Sequence, residues 1–317
     1  MTTGDGRVPS GVLSAIGRTP LIRLERLPEP GSAEVWVKLE GVNPSGSMKD
    51  RMALSMVEGA ERRGKIQPGG TVVDYTGGST GSSVAMVCAA KGLRAHFVSS
   101  DAFAEEKLQT MRAFGATVEI IPSENRKVTP QLIQTALVRV RELASQPNTF
   151  WTDQFNNPDN RAGYHAMALE ILEALERRLD AFVMAVGTGG SFSGNAEVLK
   201  ERVKGIQCIA LEPATSPALS GSGPLGGHRL EGMGAGFIPA ILRMDLVDKV
   251  VAVADADANE TARQAAVTEG LFCGITSGAN LWAALRLAKE LGRGSRVVTV
   301  AVDSGLKYLR GELFTRR

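Results

Sequence analysis

The sequence predicts an α/β protein built from two doubly wound domains with mostly parallel sheets. Apolar strand-like stretches alternate with helical patterns over nearly the whole chain, as in repeated strand–helix–strand units. The strands are mostly apolar, as expected when helices cover both faces of a parallel sheet. The 36 glycines cluster in a few loops, several of them at strand-to-helix transitions, where a backbone can approach a ligand closely.

The elements are predicted in order from local pattern. The stretch 35–40 is rich in β-forming residues and predicts a strand. Met52, Met56 and Ala60 recur at helical spacing, so a helix is expected to begin near Met48. Further strands are predicted at 71–75, 95–99, 117–121, 181–186, 208–211 and 296–302, with an extended stretch at 150–152. Helices are predicted between them at 82–91, 105–114, 130–144, 160–176 and 192–202.

The break at Gln146, Pro147 and Asn148 predicts a domain junction. We expect a smaller N-terminal α/β domain at 43–146 and a larger one formed by 1–42 and 147–317. Loops at the carboxyl ends of parallel strands converge at one edge of a sheet. A ligand and the active site are therefore expected in the cleft between the two domains.

Composition excludes several classes of protein. A net charge of +2 with interspersed signs gives no electrostatic case for nucleic acid. No apolar run is long enough to span a bilayer, and residues 1–9 carry no signal-peptide core, so a cytoplasmic location is expected. The three cysteines lie in apolar runs and are expected to be reduced core residues. The histidines are isolated and no metal-ligand motif occurs, so no metal site is expected.

Lys49 stands out because a tight turn delivers it into a helix start. Ser47 and Asp50 form a capping pattern, which places Lys49 in the first turn, where the helix dipole disfavours a positive charge. A lysine with a destabilised ammonium form suits a neutral amine that forms an imine with an aldehyde. The alternative is an exposed lysine in a Lys-Asp-Arg cluster, and this segment alone does not decide between the two.

Two further glycine-rich loops, 76–81 and 187–191, lie at predicted strand-to-helix transitions. Free backbone N–H groups at a helix start bind carboxylate or phosphate, and the hydroxyls of the first loop add donors. The dinucleotide motif G-x-G-x-x-G fails in the second loop because Phe192 takes the place of its third glycine. Taken alone, neither loop is specific, and the alternative is that its glycines serve only as tight turns.

Together, an imine-forming lysine and two anion sites describe pyridoxal phosphate acting on an amino acid. The whole set of motifs resembles the cysteine synthase / cystathionine β-synthase family of fold-type II pyridoxal-phosphate enzymes. The fold of this family is similar to that of tryptophan synthase β. Among the members of the family, the chain most resembles the cysteine synthases. The stretches that carry the resemblance are 16–24, 43–51, 76–81, 154–158, 187–191, 232–237, 274–279 and 303–305.

The resemblance implies a role for each matching position. Lys49 would bind the cofactor aldehyde and then remove the α-proton of the substrate. The cofactor phosphate would bind to Gly187, Thr188, Gly189, Gly190 and Ser191. The substrate carboxylate would bind to Thr76, Gly77, Gly78, Ser79 and Thr80, with Gln154 contributed by the facing domain. Thr276 would hydrogen-bond the pyridine nitrogen.

Three positions depart from the pattern of the family. Ser79 replaces an asparagine that reaches the 3′-oxygen of the cofactor. The shorter side chain would need a bridging water or would leave that oxygen differently hydrogen-bonded. Gly77 replaces a serine and removes one donor from the carboxylate loop. Thr276 replaces a serine and keeps the hydroxyl. These departures leave the cofactor unchanged and bear on the identity of the substrate.

The resemblance implies β-replacement on an activated L-serine such as O-acetylserine, through an aminoacrylate, giving L-cysteine or a related β-substituted alanine. A hydroxyl at the pyridine nitrogen favours this route, because a weaker electron sink disfavours a long-lived carbanion. The alternative is β-elimination by a cysteine desulfhydrase or a serine/threonine dehydratase, which releases pyruvate and ammonia. A third possibility is an inactive protein that only binds a partner.

The resemblance also implies partners. A homodimer is expected, although the sequence itself marks no interface. Members of the family bind the C-terminal peptide of serine acetyltransferase at the mouth of the active site, so that peptide is a candidate partner.

Overall fold

The computed structural model describes residues 11–125 and 129–315. Residues 1–9, which were read for a targeting signal, lie outside this part of the chain. The described chain divides into two compact units. Unit 1 contains residues 11–16 and 49–163, and unit 2 contains residues 17–48 and 164–315.

The strands and helices alternate along the described chain. The strands are β1 Leu21–Arg23, β2 Glu34–Leu39, β3 Thr71–Tyr75, β4 Arg94–Ser100, β5 Thr117–Ile121, β6 Thr149–Trp151, β7 Ala181–Ala185, β8 Gln207–Pro213, β9 Lys249–Val253 and β10 Arg296–Ala301. The α-helices are α1 Lys49–Arg62, α2 Ser79–Lys91, α3 Glu105–Ala113, α4 Pro130–Ala144, α5 Pro158–Ala162, α6 His165–Ala174, α7 Gly190–Arg202, α8 Asp255–Gln264 and α9 Ile275–Leu291.

The sheet of unit 1 has the order β5-β4-β3-β6, and its strand pairs are parallel. Val72 and Phe97 pack on one core cluster together with Val57 of α1, Val84 of α2 and Leu108 of α3. A smaller cluster is formed by Val73, Val98, Ala136 and Val140, the last two from α4. Apolar residues of the sheet thus pack against four different helices, α1 to α4, as expected for a parallel α/β domain.

The sheet of unit 2 has the order β1-β2-β10-β7-β8-β9. The β1–β2 pair is antiparallel, and the other pairs are parallel. Its central strand β7 is buried along its whole length. The α/β class and the mostly parallel sheets predicted from the sequence are confirmed. Strands 71–75 and 117–121 and helix 130–144 also have the predicted bounds.

The predicted domain boundaries differ from the division into units. The sequence suggested a junction at residue 146, but β6 pairs with β3, which brings 147–163 into unit 1. The predicted helix 160–176 is two helices, α5 and α6, and the units divide between them, at Gly163 and Tyr164. A Cβ on Gly163 would lie 2.8 Å from the Arg51 carbonyl oxygen, so this glycine permits close approach to α1.

Helices α2 and α7 begin earlier than the sequence suggested. The predicted starts were Ser82 and Phe192, whereas the helices begin at Ser79 and Gly190. The residues at these helix starts are glycine, serine and threonine, which have low helix propensity and give no apolar periodicity. The sequence pattern therefore did not indicate that they are helical. The change matters for function because it turns the end of each glycine-rich loop into the start of a helix.

Two other expectations from the sequence concern the state of the cysteines and the presence of membrane-spanning helices. Cys88, Cys208 and Cys273 are free and buried, and burial raises the pKa of each thiol to about 12. They are therefore protonated and unreactive at neutral pH. Within 11–125 and 129–315, no helix has both the length and the apolar character that crossing a bilayer would require.

Candidate active site

Three helices of the described chain begin directly after a glycine. The residues that precede α2, α7 and α9 are Gly78, Gly189 and Gly274, and none of these helices has an acidic residue in its first turn. Other helices differ: the side chains of Thr129 and Asn157 cap α4 and α5. The residue before each of these helices is a glycine with no capping side chain, and no first-turn acid neutralises the helix dipole, which suits an anionic or electron-rich ligand.

The carboxylate loop, defined as residues 76–80, connects β3 to α2 in unit 1. The Thr76 hydroxyl accepts a hydrogen bond from the Gly81 backbone N–H at 3.2 Å. This bond folds the loop back over the first turn of α2. Ser79 and Thr80 are the first two residues of that helix. The loop thus combines two threonine hydroxyls with a helix N-terminus, a set of donors that matches a carboxylate.

Gln154 lies in the same unit as the carboxylate loop, whereas the sequence suggested the facing domain. Its Oε1 accepts a hydrogen bond from the Thr80 hydroxyl at 3.0 Å. The buried Asn160 holds its backbone by donating to the Gln154 carbonyl at 2.7 Å. The pairing of β6 with β3 explains this placement, because Gln154 follows β6 and the loop follows β3. The structure therefore brings Gln154 to the residues with which it was expected to act.

Asp74 is a buried carboxylate directly behind this loop, and the sequence analysis did not single it out. Its Oδ2 accepts hydrogen bonds from the Thr152 hydroxyl at 2.5 Å and from Gln154 Nε2 at 3.4 Å. Its Oδ1 accepts from Trp151 Nε1 at 3.1 Å and from the Tyr75 N–H at 2.8 Å. Burial raises the pKa of Asp74 to about 6, against the effect of these donors. Ionised Asp74 therefore orients the Gln154 amide toward Thr80.

We expect the substrate KM to rise below pH 6 because Asp74 gains a proton there. Its four partners are all donors, so a protonated Asp74 cannot accept from every one of them and loosens Gln154. Since burial raises the pKa of Asp74 above that of an exposed aspartate, 3.8, the contribution of Asp74 to stability falls as pH rises from about 4 to about 6. In Asp74→Asn we expect KM to be raised about tenfold, because one charged hydrogen bond is lost. The further rise of KM below pH 6, called here the acidic limb, should be absent in this variant. Steady-state KM between pH 5 and 8 measures both effects.

Asp153→Asn is the matched control for this prediction. The Asp153 charge raises the pKa of Asp74, so its removal should move the acidic limb to lower pH. Asp153 has φ +44°, a conformation that asparagine tolerates well, so the backbone should not change. An acidic limb that persists in Asp74→Asn would contradict the assignment to Asp74.

Lys49 is the first residue of α1, one position later than the sequence suggested. The turn before it is fixed in unit 2: the Met48 N–H donates to the Val302 carbonyl at 2.8 Å, and Asn43 Oδ1 accepts from the Gly17 N–H at 2.8 Å. Buried Asp50 follows Lys49 in the first turn. The lysine thus leaves a rigid turn at the positive end of the helix dipole, as the sequence indicated.

The phosphate loop, defined as residues 187–191, connects β7 to α7 in unit 2 and has no space for larger residues. A Cβ on Gly187 would lie 2.4 Å from the Gly232 carbonyl oxygen. Gly189 has φ +86°, and a Cβ there would lie 2.7 Å from Leu242 Cβ. Such packing leaves a backbone cradle at a helix start. Within α7, the Asn195 side chain donates to the Ser191 carbonyl at 2.7 Å.

Thr276, in the first turn of α9, is buried, and its hydroxyl donates to the Glu231 carbonyl at 2.5 Å. The adjacent residue Gly232 is the one whose carbonyl faces Gly187. The phosphate loop and Thr276 therefore meet the same short stretch of backbone, 231–232. The positions of the loop and of Thr276 fit the two ends of pyridoxal phosphate, its phosphate and its pyridine nitrogen. To donate to that nitrogen, the Thr276 hydroxyl would turn its one proton away from the Glu231 carbonyl.

Sequence reasoning missed the residues that support these loops. Asp74, Asn160 and Leu242 contact the loops or Gln154. Gly232 lies in a stretch that carried the resemblance, but its packing against Gly187 was not predicted. A signal existed for Asp74, because it is an acidic residue within an otherwise apolar strand immediately before the carboxylate loop. No comparable local signal marks Leu242.

Several known proteins are similar to this chain over nearly its whole length. Residues 12–303 match the profile of a family described as pyridoxal-phosphate dependent enzymes. Over 306 residues the chain is 41% identical to a cysteine synthase of Staphylococcus aureus, with 96% of each protein covered. A solved hydrogen sulfide-producing enzyme from Fusobacterium nucleatum has a TM-score of 0.89 at 37% identity and covers 96% of this chain and 99% of its own. An O-ureido-L-serine synthase has a TM-score of 0.91 at 34% identity and covers 97% of this chain and 95% of its own.

Proposed function

Because the chain belongs to the family of pyridoxal-phosphate dependent enzymes, we propose that it catalyses β-replacement on an activated L-serine. The donor is O-acetyl-L-serine or a similar ester, and the product is L-cysteine or a related β-substituted alanine. The observation that carries this proposal is Thr276, a buried hydroxyl rather than a carboxylate at the start of α9. A hydroxyl does little to keep a pyridine nitrogen protonated, which favours loss of a β-leaving group over a long-lived carbanion.

The phosphate loop and Thr276 are proposed to hold the two ends of the cofactor. Gly187, Thr188, Gly189, Gly190 and Ser191 bind the phosphate, and Ser79 is proposed to face the 3′-oxygen through a water. When bound, pyridoxal phosphate supplies an electron-withdrawing ring that acidifies the α-proton of an amino acid. The protein supplies the binding, the orientation and the base.

The carboxylate loop is proposed to hold the substrate. The Thr76 hydroxyl, the N–H groups of Gly77 and Gly78 and the Gln154 side-chain N–H bind the α-carboxylate. The Thr80 hydroxyl, which donates to Gln154 Oε1 in the structure, turns to the carboxylate when substrate binds. Lys49 Nζ would hold the cofactor aldehyde and, once the substrate amine has taken its place, would accept the α-proton. The ester group leaves from Cβ with its electron pair as the α-proton is removed. A nucleophile such as sulfide then adds at Cβ, and Lys49 returns the proton to Cα.

Turnover with and without a nucleophile tests this proposal. The holoenzyme is given O-acetyl-L-serine with sulfide, and L-cysteine, acetate and pyruvate are quantified. We expect cysteine to form in amounts equal to the acetate released, with little pyruvate. Release of pyruvate and sulfide from L-cysteine, without cysteine formation, would overturn replacement in favour of elimination. Peptide binding with no turnover of any β-substituted serine would overturn enzymatic activity.

Assembly and location rest on the resemblance and on composition. We propose that the protein forms a homodimer, binds the C-terminal peptide of serine acetyltransferase and is located in the cytoplasm. Light scattering of the purified holoenzyme measures the first property. Inhibition of cysteine formation by a synthetic peptide of that kind tests the second.

A further inference from the structure

Gly77 is the most crowded position of the carboxylate loop, and its neighbour Gly78 is open. A Cβ on Gly77 would lie 2.0 Å from two ring carbons of Phe103, closer than any real contact. At Gly78 a Cβ would meet no atom within 4 Å. The ring of Phe103 therefore occupies the space that a side chain at position 77 would fill. Only glycine at position 77 is compatible with this ring.

A tight turn between β4 and α3 places Phe103 over the loop. Its N–H donates to the Ser100 carbonyl at 3.2 Å, and the Ala102 N–H donates to the Ser100 hydroxyl at 3.2 Å. The ring packs at a tilt against Tyr75, with 6.1 Å between ring centroids. Tyr75 is the last residue of β3 and directly precedes the carboxylate loop. The ring thus lies against the loop at Gly77 and against Tyr75, the residue before the loop.

We propose that Phe103 is a substrate-contacting residue that forms an aromatic wall of the carboxylate site, and that position 77 is glycine to admit it. This inference deepens the proposed function and rests on it, since it takes residues 76–80 as the substrate carboxylate site. The ring offers no hydrogen bond, so it leaves the donors of the loop and Gln154 as the partners of the carboxylate. Because it excludes water, it strengthens those charged hydrogen bonds.

The wall predicts coupling between positions 77 and 103. In Phe103→Ala, water gains access to the loop, and we expect KM for the amino-acid substrate to rise about tenfold with kcat changed less than about threefold. In Gly77→Ser, the new side chain and the ring exclude each other, and both substrate affinity and thermal stability should fall. In the double variant the hydroxyl fills the vacated space, so affinity and stability should recover relative to Gly77→Ser.

A double-mutant cycle on the holoenzyme tests this inference. Thermal stability is measured for the parent, both single variants and the double variant, together with the dissociation constant of an unreactive amino acid read from the visible absorbance of the bound cofactor. The matched control is a second cycle with Gly78→Ser, which should show no coupling to Phe103→Ala. The proposal is supported if Phe103→Ala lowers affinity and stability in the parent but raises both in Gly77→Ser, and if the effects of Phe103→Ala and Gly78→Ser simply add.

The outcomes separate this inference from the proposed function. Additivity at positions 77 and 103, or an unchanged amino-acid affinity in Phe103→Ala, would overturn the aromatic wall. Stability coupling without any effect of Phe103→Ala on amino-acid affinity would show that the ring only packs, and would also overturn it. If instead the absorbance responds to amino acids but no β-replacement occurs, the proposed reaction fails while the cycle still decides the role of Phe103.

Discussion

Replacement of Lys49 by alanine is expected to abolish turnover while leaving the fold intact. The variant loses both the amine that binds the cofactor aldehyde and the base that accepts the α-proton. Loss of a general base alone typically costs about 10²- to 10⁴-fold, so we expect kcat to fall by at least about 10³-fold. Lys49 begins α1 after a turn whose backbone bonds do not involve its side chain, so the helix should persist. The visible spectrum of the cofactor-loaded protein and steady-state turnover measure the two losses.

Lys65→Ala is the control for this prediction. Lys65 lies soon after the same helix and is exposed, so its removal tests the general effect of deleting a lysine in this region. It should retain the spectrum and the turnover of the parent. A Lys49→Ala protein that keeps both would exclude Lys49 as the cofactor-binding residue.

Gly187→Ala is expected to weaken cofactor binding by distorting the phosphate loop. The added methyl carbon would lie 2.4 Å from the Gly232 carbonyl oxygen, so either the loop or segment 231–232 must move. Overpacking of this kind typically costs about 1–3 kcal/mol, which corresponds to a loss of about 5- to 150-fold in affinity if it falls on the bound state. Segment 231–232 also accepts the Thr276 hydroxyl, so both ends of the cofactor site are affected. Titration of the cofactor-free protein with pyridoxal phosphate measures the change.

Gly227→Ala is the matched control in the same unit. Gly227 is exposed, and a Cβ there would meet no atom within 4 Å. Its cofactor affinity should equal that of the parent. Thermal unfolding of both cofactor-free variants shows whether each is folded before titration. An unchanged affinity in a folded Gly187→Ala protein would mean that the 187–191 loop does not bind the phosphate.

The fold could be predicted where local pattern is strong. Helix α4 has a proline at its first position and a clear apolar period, and its bounds were predicted correctly. The buried strand β3 was also predicted correctly. The starts of α2 and α7 were not, because their first turns consist of glycine, serine and threonine. The unit boundary at 163 was missed because it depends on the pairing of β6 with β3, which is not a local property.

The candidate site was predictable to the level of its loops. Local motifs mark Lys49 and the two glycine-rich loops, and the family resemblance marks Thr276, but their roles stay predictions. The structure adds contacts of the two loops and of Thr276. The contact of Phe103 with Gly77 joins residues from different loops, and no periodicity or motif reports it. The buried Asp74 behind Gln154 likewise depends on the sheet order. Sequence therefore indicated the chemistry, and packing determines how the loops are held.

The most direct test of the central claim is to locate the cofactor on the chain. The holoenzyme is reduced with borohydride, which makes the bond between lysine and cofactor permanent, and is then digested with trypsin and analysed by mass spectrometry. We expect the pyridoxyl group on Lys49, in a peptide spanning residues 39–51, because trypsin cleaves after Lys38 and Arg51 but not after a modified lysine. A label on another lysine, or a bound cofactor that no lysine retains after reduction, would contradict the account.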